Sequence, residues 1–318
     1  MKIYYTFTKI RDKPVLRIKN FIISILFIVF SCSPAGVDFI PEPVVIEPIQ
    51  LETGTGIFIY QYLDKDIQVF YYTPENINEN TPVVFTMHGG GRDAEGARDA
   101  MINKAIQYNF IVVAPKISET DFSGGDGYNL GNVFIDGDNP SEATINSEEE
   151  WSFSIIEPLF DQIIASTETT VETYHITGFS AGAQFVHRFM FFKPNARINK
   201  IVASGAGWYT VMDNNISFPY GFKNSPLTNN SIQELLNNSV FIQVGSLDND
   251  PNAPGLRHND YADAQGLHRL ERGIHFYDRA QLIAQNNSYN SNWSFTIING
   301  IGHNLQGYTD SACDLIFN

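Results

Sequence analysis

Apolar and polar positions divide the chain into three regimes. Phe21–Phe30 (FIISILFIVF) is apolar except for Ser24. Residues 32–49 carry Pro34, Pro41, Pro43 and Pro48 and show no periodicity. From residue 50 onward, short β-rich runs alternate with amphipathic stretches. The runs predict strands at Gly56–Tyr62, Asp66–Tyr72, Pro82–Met87, Phe110–Ala114, Thr173–Thr177, Lys200–Ser204, Val240–Val244 and Ser294–Ile298. The stretches predict helices at Ala94–Tyr108, Glu149–Ser166, Ala181–Phe192 and His268–Asn286. The first two strands form an antiparallel lead-in. The later ones are brief and apolar throughout, as strands are when helices cover both faces of a sheet. The alternation indicates an α/β fold with an eight-stranded, mostly parallel sheet. No internal repeat or second linker interrupts residues 50–318, which form one domain. Two connections are long, Lys116–Ser147 and Gly205–Ser239; the second carries Trp208, Tyr209, Phe218, Tyr220 and Phe222. Long insertions in a compact domain are commonly functional, so both are expected to wall a substrate cleft, the second with aromatic rings.

The ten-residue apolar run is too short to span a bilayer, which takes about 20 helical residues. It follows Lys2, Lys9, Arg11, Lys13, Arg17 and Lys19, with Asp12 as the single acid. A basic segment before a short apolar run is the pattern of a secretory signal. The run ends in Val29-Phe30-Ser31-Cys32, which resembles the lipobox of bacterial lipoproteins and implies that Cys32 is acylated after cleavage; the alternative is a plain signal peptide with an incidental cysteine. Residues 1–31 are thus expected to be a lipoprotein signal and 32–49 a tether. The protein is expected in the bacterial envelope, held to the membrane through its N-terminal lipid alone, with the outer membrane preferred.

Composition narrows the function. The 318 residues are 43% hydrophobic and 17% charged, which excludes a disordered chain and a multi-span membrane protein. The formal charge is −15, from 20 basic and 35 acidic residues. Loss of six basic residues and one acid with the signal leaves 14 basic and 34 acidic residues, a net −20. Such a chain is repelled by phosphate backbones, so nucleic acid is not an expected partner. The two cysteines, Cys32 and Cys313, allow at most one disulfide. With Cys32 lipidated, Cys313 is a lone thiol.

The chemistry gathers in four places. Gly178-Phe179-Ser180-Ala181-Gly182 follows a predicted strand and precedes a predicted helix. This is G-x-S-x-G in the strand–turn–helix context of a nucleophile elbow; the alternative is a chance Gly-Ser turn. Upstream, Val83–Met87 runs into His88-Gly89-Gly90-Gly91. Backbone N–H groups aimed at a carbonyl oxygen stabilise the negative charge of acyl transfer. Ala181 is the expected first donor and Gly90 the second, with Gly91 as its rival; His88 is expected to support the turn. A serine needs a base and an orienting acid. Of the seven histidines, His303 follows the last strand in a glycine-bearing turn, Asn299–His303. His175 is expected in the core, His187 as structural, and His268 and His275 as packing or surface residues on one helix. Asp248 lies three residues past Gly245 at the end of the preceding strand, with Asp250 as rival. Asp121, Asp126, Asp136, Asp138 and Glu148–Glu150 crowd the first insertion, but no EF-hand spacing is present and they read as a solvated loop rather than a Ca²⁺ site. No C-x-x-C, H-E-x-x-H or P-loop occurs, and neither metal nor cofactor is expected.

Together, Gly178–Gly182, His88–Gly91, Asp248 and His303 resemble the serine α/β-hydrolase superfamily over nearly all of residues 55–318. The chain is similar to its secreted esterases, a group that includes polyhydroxybutyrate-depolymerase-like and feruloyl- or acetyl-ester hydrolases. Tyr128–Asn132, Gly182–Phe189 and Gln265–Arg269 are similar to segments of one bacterial branch. The resemblance implies an α/β-hydrolase fold and ester cleavage through Ser180, His303 and Asp248 with an acyl-enzyme intermediate, on a small or polymeric ester. Two other functions compete: a serine peptidase, and a non-catalytic glycan-binding lipoprotein.

Overall fold

The computed structural model describes residues 46–318. The signal, Cys32 and most of the tether therefore lie outside the described residues. The last tether residues already touch the domain: Gln162 Nε2 donates to the Glu47 carbonyl, and Ile49 N–H donates to Ser166 Oγ.

The strands are β1 (Gly54–Tyr62), β2 (Lys65–Thr73), β3 (Val83–Met87), β4 (Ile111–Pro115), β5 (Tyr174–Phe179), β6 (Ile198–Ser204), β7 (Ser239–Gly245) and β8 (Trp293–Ile298). They form one eight-stranded sheet in the order β1-β2-β4-β3-β5-β6-β7-β8. β1 pairs antiparallel with β2, and β2 with β4; every other neighbouring pair is parallel. The helices are α1 (Ala94–Asp99), α2 (Ile102–Tyr108), α3 (Gly124–Gly127), α4 (Ile156–Ala165), α5 (Ala181–Phe192), α6 (Ile232–Asn237), α7 (Asp260–Asp263), α8 (Arg269–Asn287) and α9 (Leu305–Phe317). None is long and apolar enough to cross a membrane, among the described residues.

The period of two along each strand assigns side chains to two cores. Val83, Phe85, Met87, Ile111, Val113, Ile201, Ala203, Val240 and Ile242 face the larger core, closed by α4, α5 and α8. Val84, Val112 and Val202 face the smaller one, with Met101, Ala105, Ala312, Cys313 and Ile316. Helices thus cover both faces, as the continuous apolar runs require. Cys313 is fully buried, and burial pushes its thiol pKa up to about 12.

The helices depart from expectation in several places; the short α3, α6 and α7 lie in stretches where none is predicted. The stretch 94–108 is two helices, because Met101 N–H bonds to the Arg98 carbonyl, three residues back, and tightens the chain. At the junction Arg98 turns inward and donates to the Tyr71 carbonyl at 2.9 Å. The stretch 149–166 is α-helical only from Ile156 to Ala165. Ahead of it, Glu148–Glu150 and Ser152–Ile155 make two 3₁₀ turns, and the Ser152 N–H and Oγ are drawn to the carbonyls of Gly131 and Gly127. α9 was not anticipated, although Tyr308, Ala312, Cys313 and Ile316 recur at helical spacing and are buried.

Candidate active site

The C-terminal ends of the parallel strands share one edge of the sheet, where open α/β sheets bind ligands. The turns after β3, β5, β7 and β8 bring His88–Gly91, Ser180, Asp248 and His303 to that edge.

Ser180 sits between β5 and α5 with φ +58° and ψ −113°, a conformation that costs a non-glycine residue on the order of 1–3 kcal/mol. The turn holds because its surroundings leave no room to relax. A Cβ on Gly182 would lie 2.0 Å from the Met87 carbonyl oxygen. β3 therefore presses directly against the elbow, which places the glycine turn after β3 beside the serine.

His303 lies between Ser180 and Asp248. The Ser180 hydroxyl is 3.1 Å from His303 Nε2, and His303 Nδ1 is 2.7 Å from Asp248 Oδ2. Phe179 packs on the imidazole, with ring centroids 4.6 Å apart. The turns that carry His303 and Asp248 are zipped together: Leu247 N–H donates to the Ile301 carbonyl, and Gly300 N–H to Ser246 Oγ. A Cβ on Gly245 would meet the Ile301 oxygen at 2.1 Å, so the close approach depends on that glycine.

Asp248 is buried, and burial alone would raise its pKa. The hydrogen bond from His303, the charges of His303 and Arg269 and the Tyr308 hydroxyl outweigh this and hold the carboxyl below its ordinary value. Tyr308 is a partner that sequence inspection missed. Its hydroxyl donates to Asp248 Oδ2 at 2.9 Å and accepts from Gly245 N–H at 2.7 Å. It precedes no motif, and only the return of α9 across the sheet reveals its role. Asp250, the rival acid, is exposed, and its carboxylate accepts from Asn252 N–H in its own turn.

Gly90 and Ala181 border the same cleft as Ser180 and His303. Gly90 N–H has no protein acceptor among the described residues, and the first N–H groups of a helix such as α5 have none by construction. The turn before them is anchored by His88. Its Nδ1–H donates to the Gly89 carbonyl, its Nε2 accepts from Ile117 N–H, and its carbonyl accepts from the Tyr128 hydroxyl. Burial lowers the His88 pKa to about 4, so the ring is neutral.

The remaining histidines lie elsewhere. His187 is buried and bridges the Ala183 carbonyl and Thr210 N–H. His175 lies in β5, against Phe317. His268 is the N-cap of α8, accepting from Glu271 N–H, so it does not share a helix face with His275.

The cleft has a volume of about 660 Å³ and is polar. Of the aromatics expected along it from the second insertion, only Trp208 borders it. Tyr209 stacks on Phe276, Phe218 meets Phe134 and Phe192, and Phe222 meets Phe191. Those rings are the core that supports the insertion. The first insertion contributes Tyr128, Asn129 and Leu130 to the cleft, and Arg92, Arg257 and Arg269 reach it from elsewhere. The acids of the first insertion go to protein donors: Asp136 to Asn139, Asp126 to Gly137 N–H, and Asp138 to Arg257.

No protein-family model matches the sequence, and no curated protein does. Solved structures do match. The structure of poly(aspartic acid) hydrolase-1 from Sphingomonas sp. KT-1 is 37% identical with a TM-score of 0.79, covering 84% of this chain and 100% of that one. A poly(3-hydroxybutyrate) depolymerase from Bordetella parapertussis is 28% identical with a TM-score of 0.77, covering 84% and 90%. An S-formylglutathione hydrolase from Agrobacterium tumefaciens shares the fold at 16% identity and a TM-score of 0.53, covering 84% and 95%.

Proposed function

Because the chain belongs to the serine α/β-hydrolases of esterase type, we propose that it cleaves carboxylic esters through an acyl-enzyme formed on Ser180. The observation that carries this is the unbroken relay from the Ser180 hydroxyl to His303 Nε2 at 3.1 Å and from His303 Nδ1 to Asp248 at 2.7 Å. Asp248 holds the ring in the tautomer whose Nε2 is free to accept a proton. Ser180 Oγ attacks the ester carbonyl as its proton passes to His303. The carbonyl oxygen takes the negative charge, and the N–H groups of Ala181 and Gly90 stabilise it, each worth about 3–4 kcal/mol in such sites. Collapse of the tetrahedral intermediate expels the alcohol, which takes the proton from His303. Water, deprotonated by the same base, then attacks the acyl-enzyme and regenerates Ser180.

The test is Ser180-dependent labelling by a fluorophosphonate together with turnover of a chromogenic ester series. Ser180→Ala is expected to abolish labelling and to lower kcat by about 10⁴-fold or more. Ester turnover by a folded Ser180→Ala protein at the wild-type rate overturns the assignment.

A second reading is amide hydrolysis in an acidic polymer. It is favoured by the 37% identity to the poly(aspartic acid) hydrolase and by the arginines along the cleft. Release of shorter chains from poly(aspartic acid) separates it from the first. For the N-terminus we propose acylation of Cys32 and attachment to the bacterial envelope, with support from the basic segment, the apolar run and the lipobox-like residues. Cys32→Ala is expected to abolish incorporation of labelled palmitate and to move the protein out of the membrane fraction.

A further inference from the structure

Four buried side-chain polar atoms lack a hydrogen-bond partner among the described residues, and two of them are guanidinium nitrogens: Arg188 Nη2 and Arg269 Nε. Arg188 is wholly buried, and its guanidinium lies 4.1 Å from the centre of the Trp208 ring, whose residue borders the cleft. Its partners are the Thr210 hydroxyl, the Asn129 and Gln184 carbonyls and the Gln184 amide oxygen; none is a carboxylate. Arginine keeps its charge in proteins, so this is an interior cation with no anion bonded to it.

Arg269 is 4% exposed and borders the cleft together with Ser180 and His303. Among the described residues its one acceptor is Asp248 Oδ1, at a long 3.4 Å, and its buried Nε has none. A buried guanidinium with donors left over is costly unless a ligand completes it. The other two cleft arginines are already engaged. Arg92 holds Glu119 and the Phe122 and Gly124 carbonyls, and Arg257 pairs with Asp138. Those pairings also account for Glu119 and Asp138, two acids that border the cleft. The third acid that borders the cleft, Asp126, accepts from Gly137 N–H. The donors left unspent beside the reacting serine are therefore those of Arg269.

We propose that Arg269 is a specificity-determining residue that receives a carboxylate of the substrate next to the scissile bond, with the Arg188 charge behind Trp208 reinforcing it. The preferred substrates are then acidic acyl compounds rather than neutral esters. This inference rests on the serine-hydrolase reading above.

Two matched pairs of esters test it. One places the charge on the acyl side: the 4-nitrophenyl monoester of adipic acid against 4-nitrophenyl hexanoate. The other places it on the leaving group: 4-acetoxybenzoate against its methyl ester. In at least one pair the charged member is expected to be favoured in kcat/KM by about tenfold or more, the discrimination typical of a charged hydrogen bond. Arg269→Gln is expected to bring that ratio within about threefold of unity, and Arg269→Lys to restore part of it. If Arg269 merely steadies Asp248, Arg269→Gln slows both members of a pair equally. An unmoved ratio, or no preference in either pair, overturns the proposal.

Binding of a capped tetra-aspartate to Ser180→Ala protein is measured alongside by calorimetry. Saturable binding that Arg269→Gln abolishes is expected, and absence of binding counts against the inference. This arm does not require turnover. If no ester is cleaved and no fluorophosphonate label is taken up while tetra-aspartate binds through Arg269, the hydrolase reading fails and the anion site stands.

Discussion

Two turns at the same sheet edge each deliver a histidine to the neighbourhood of Ser180, and the two rings behave as opposites. His88, after β3, is fully buried; both of its nitrogens are taken by backbone groups, the Gly89 carbonyl and Ile117 N–H. His303, after β8, keeps a side chain 28% exposed; its nitrogens meet a carboxylate and a hydroxyl. A carbonyl on Nδ1 fixes a tautomer and little else. A carboxylate on Nδ1 also stabilises the imidazolium that forms when Nε2 takes a proton. The difference between a structural pin and the base we propose therefore lies in what the two ring nitrogens meet and in the charge of that partner, not in the residue type.

The largest test of that contrast is to remove each ring. His303→Ala is expected to lower kcat on a chromogenic ester by about 10⁴-fold or more. His88→Ala is expected to retain at least about 1% of kcat, its loss coming through a loosened Gly90 amide. Equal losses would erase the distinction. Removing the charge partner is the next step. Asp248→Asn leaves the imidazole with the wrong tautomer and is expected to cost about 10³–10⁴-fold in kcat, whereas Asp250→Asn is expected to leave kcat unchanged within about twofold.

Stability gives a subtler separation. His88 and His175 take a proton in the fold only near pH 4, because burial disfavours the charged ring. In the unfolded chain the same rings titrate near about 6.5. Between those values the unfolded state binds more protons. Stability is therefore full above pH 6.5 and falls as the pH drops toward 4, by an amount on the order of 3 kcal/mol for each ring. A melting temperature followed from pH 7 to 4 measures this, and His88→Asn is expected to flatten the slope in that window. Among the groups bonded to Asp248, the smallest effect is expected at Tyr308. Its hydroxyl shares Asp248 Oδ2 with His303, and Tyr308→Phe is expected to lower kcat by about three- to tenfold with KM little changed.

Much of this was legible in the chain, for reasons of local physics. α5 matches its predicted span, Ala181–Phe192, because the elbow before it and Lys193-Pro194 after it punctuate an apolar run. The buried strands were readable because both of their faces are apolar. The elbow was readable because only glycine tolerates the Met87 carbonyl at 2.0 Å, and the sequence must record that. What misled were features set by contacts distant in sequence. The split at residues 100–101 and the late start of α4 answer to Tyr71, Gly127 and Gly131. The aromatics of the second insertion have the composition of a binding surface, yet Tyr209, Phe218 and Phe222 pack into the core beneath it, because a ring's burial depends on what folds over it.

The sequence by itself determined the α/β class, the alternation of strands and helices along the chain, and the short list containing Ser180, Asp248 and His303. Each of these is encoded in local spacing, periodicity or a glycine that no other residue can replace. Only the tertiary structure shows that Asp248, and not Asp250 two residues on, is buried and bonded to His303. It likewise brought Tyr308 from α9 to the acid and left Arg269 beside it with donors unspent. Hydrogen-bond partners across more than fifty residues of chain are chosen by packing, and no local pattern along the sequence carries them.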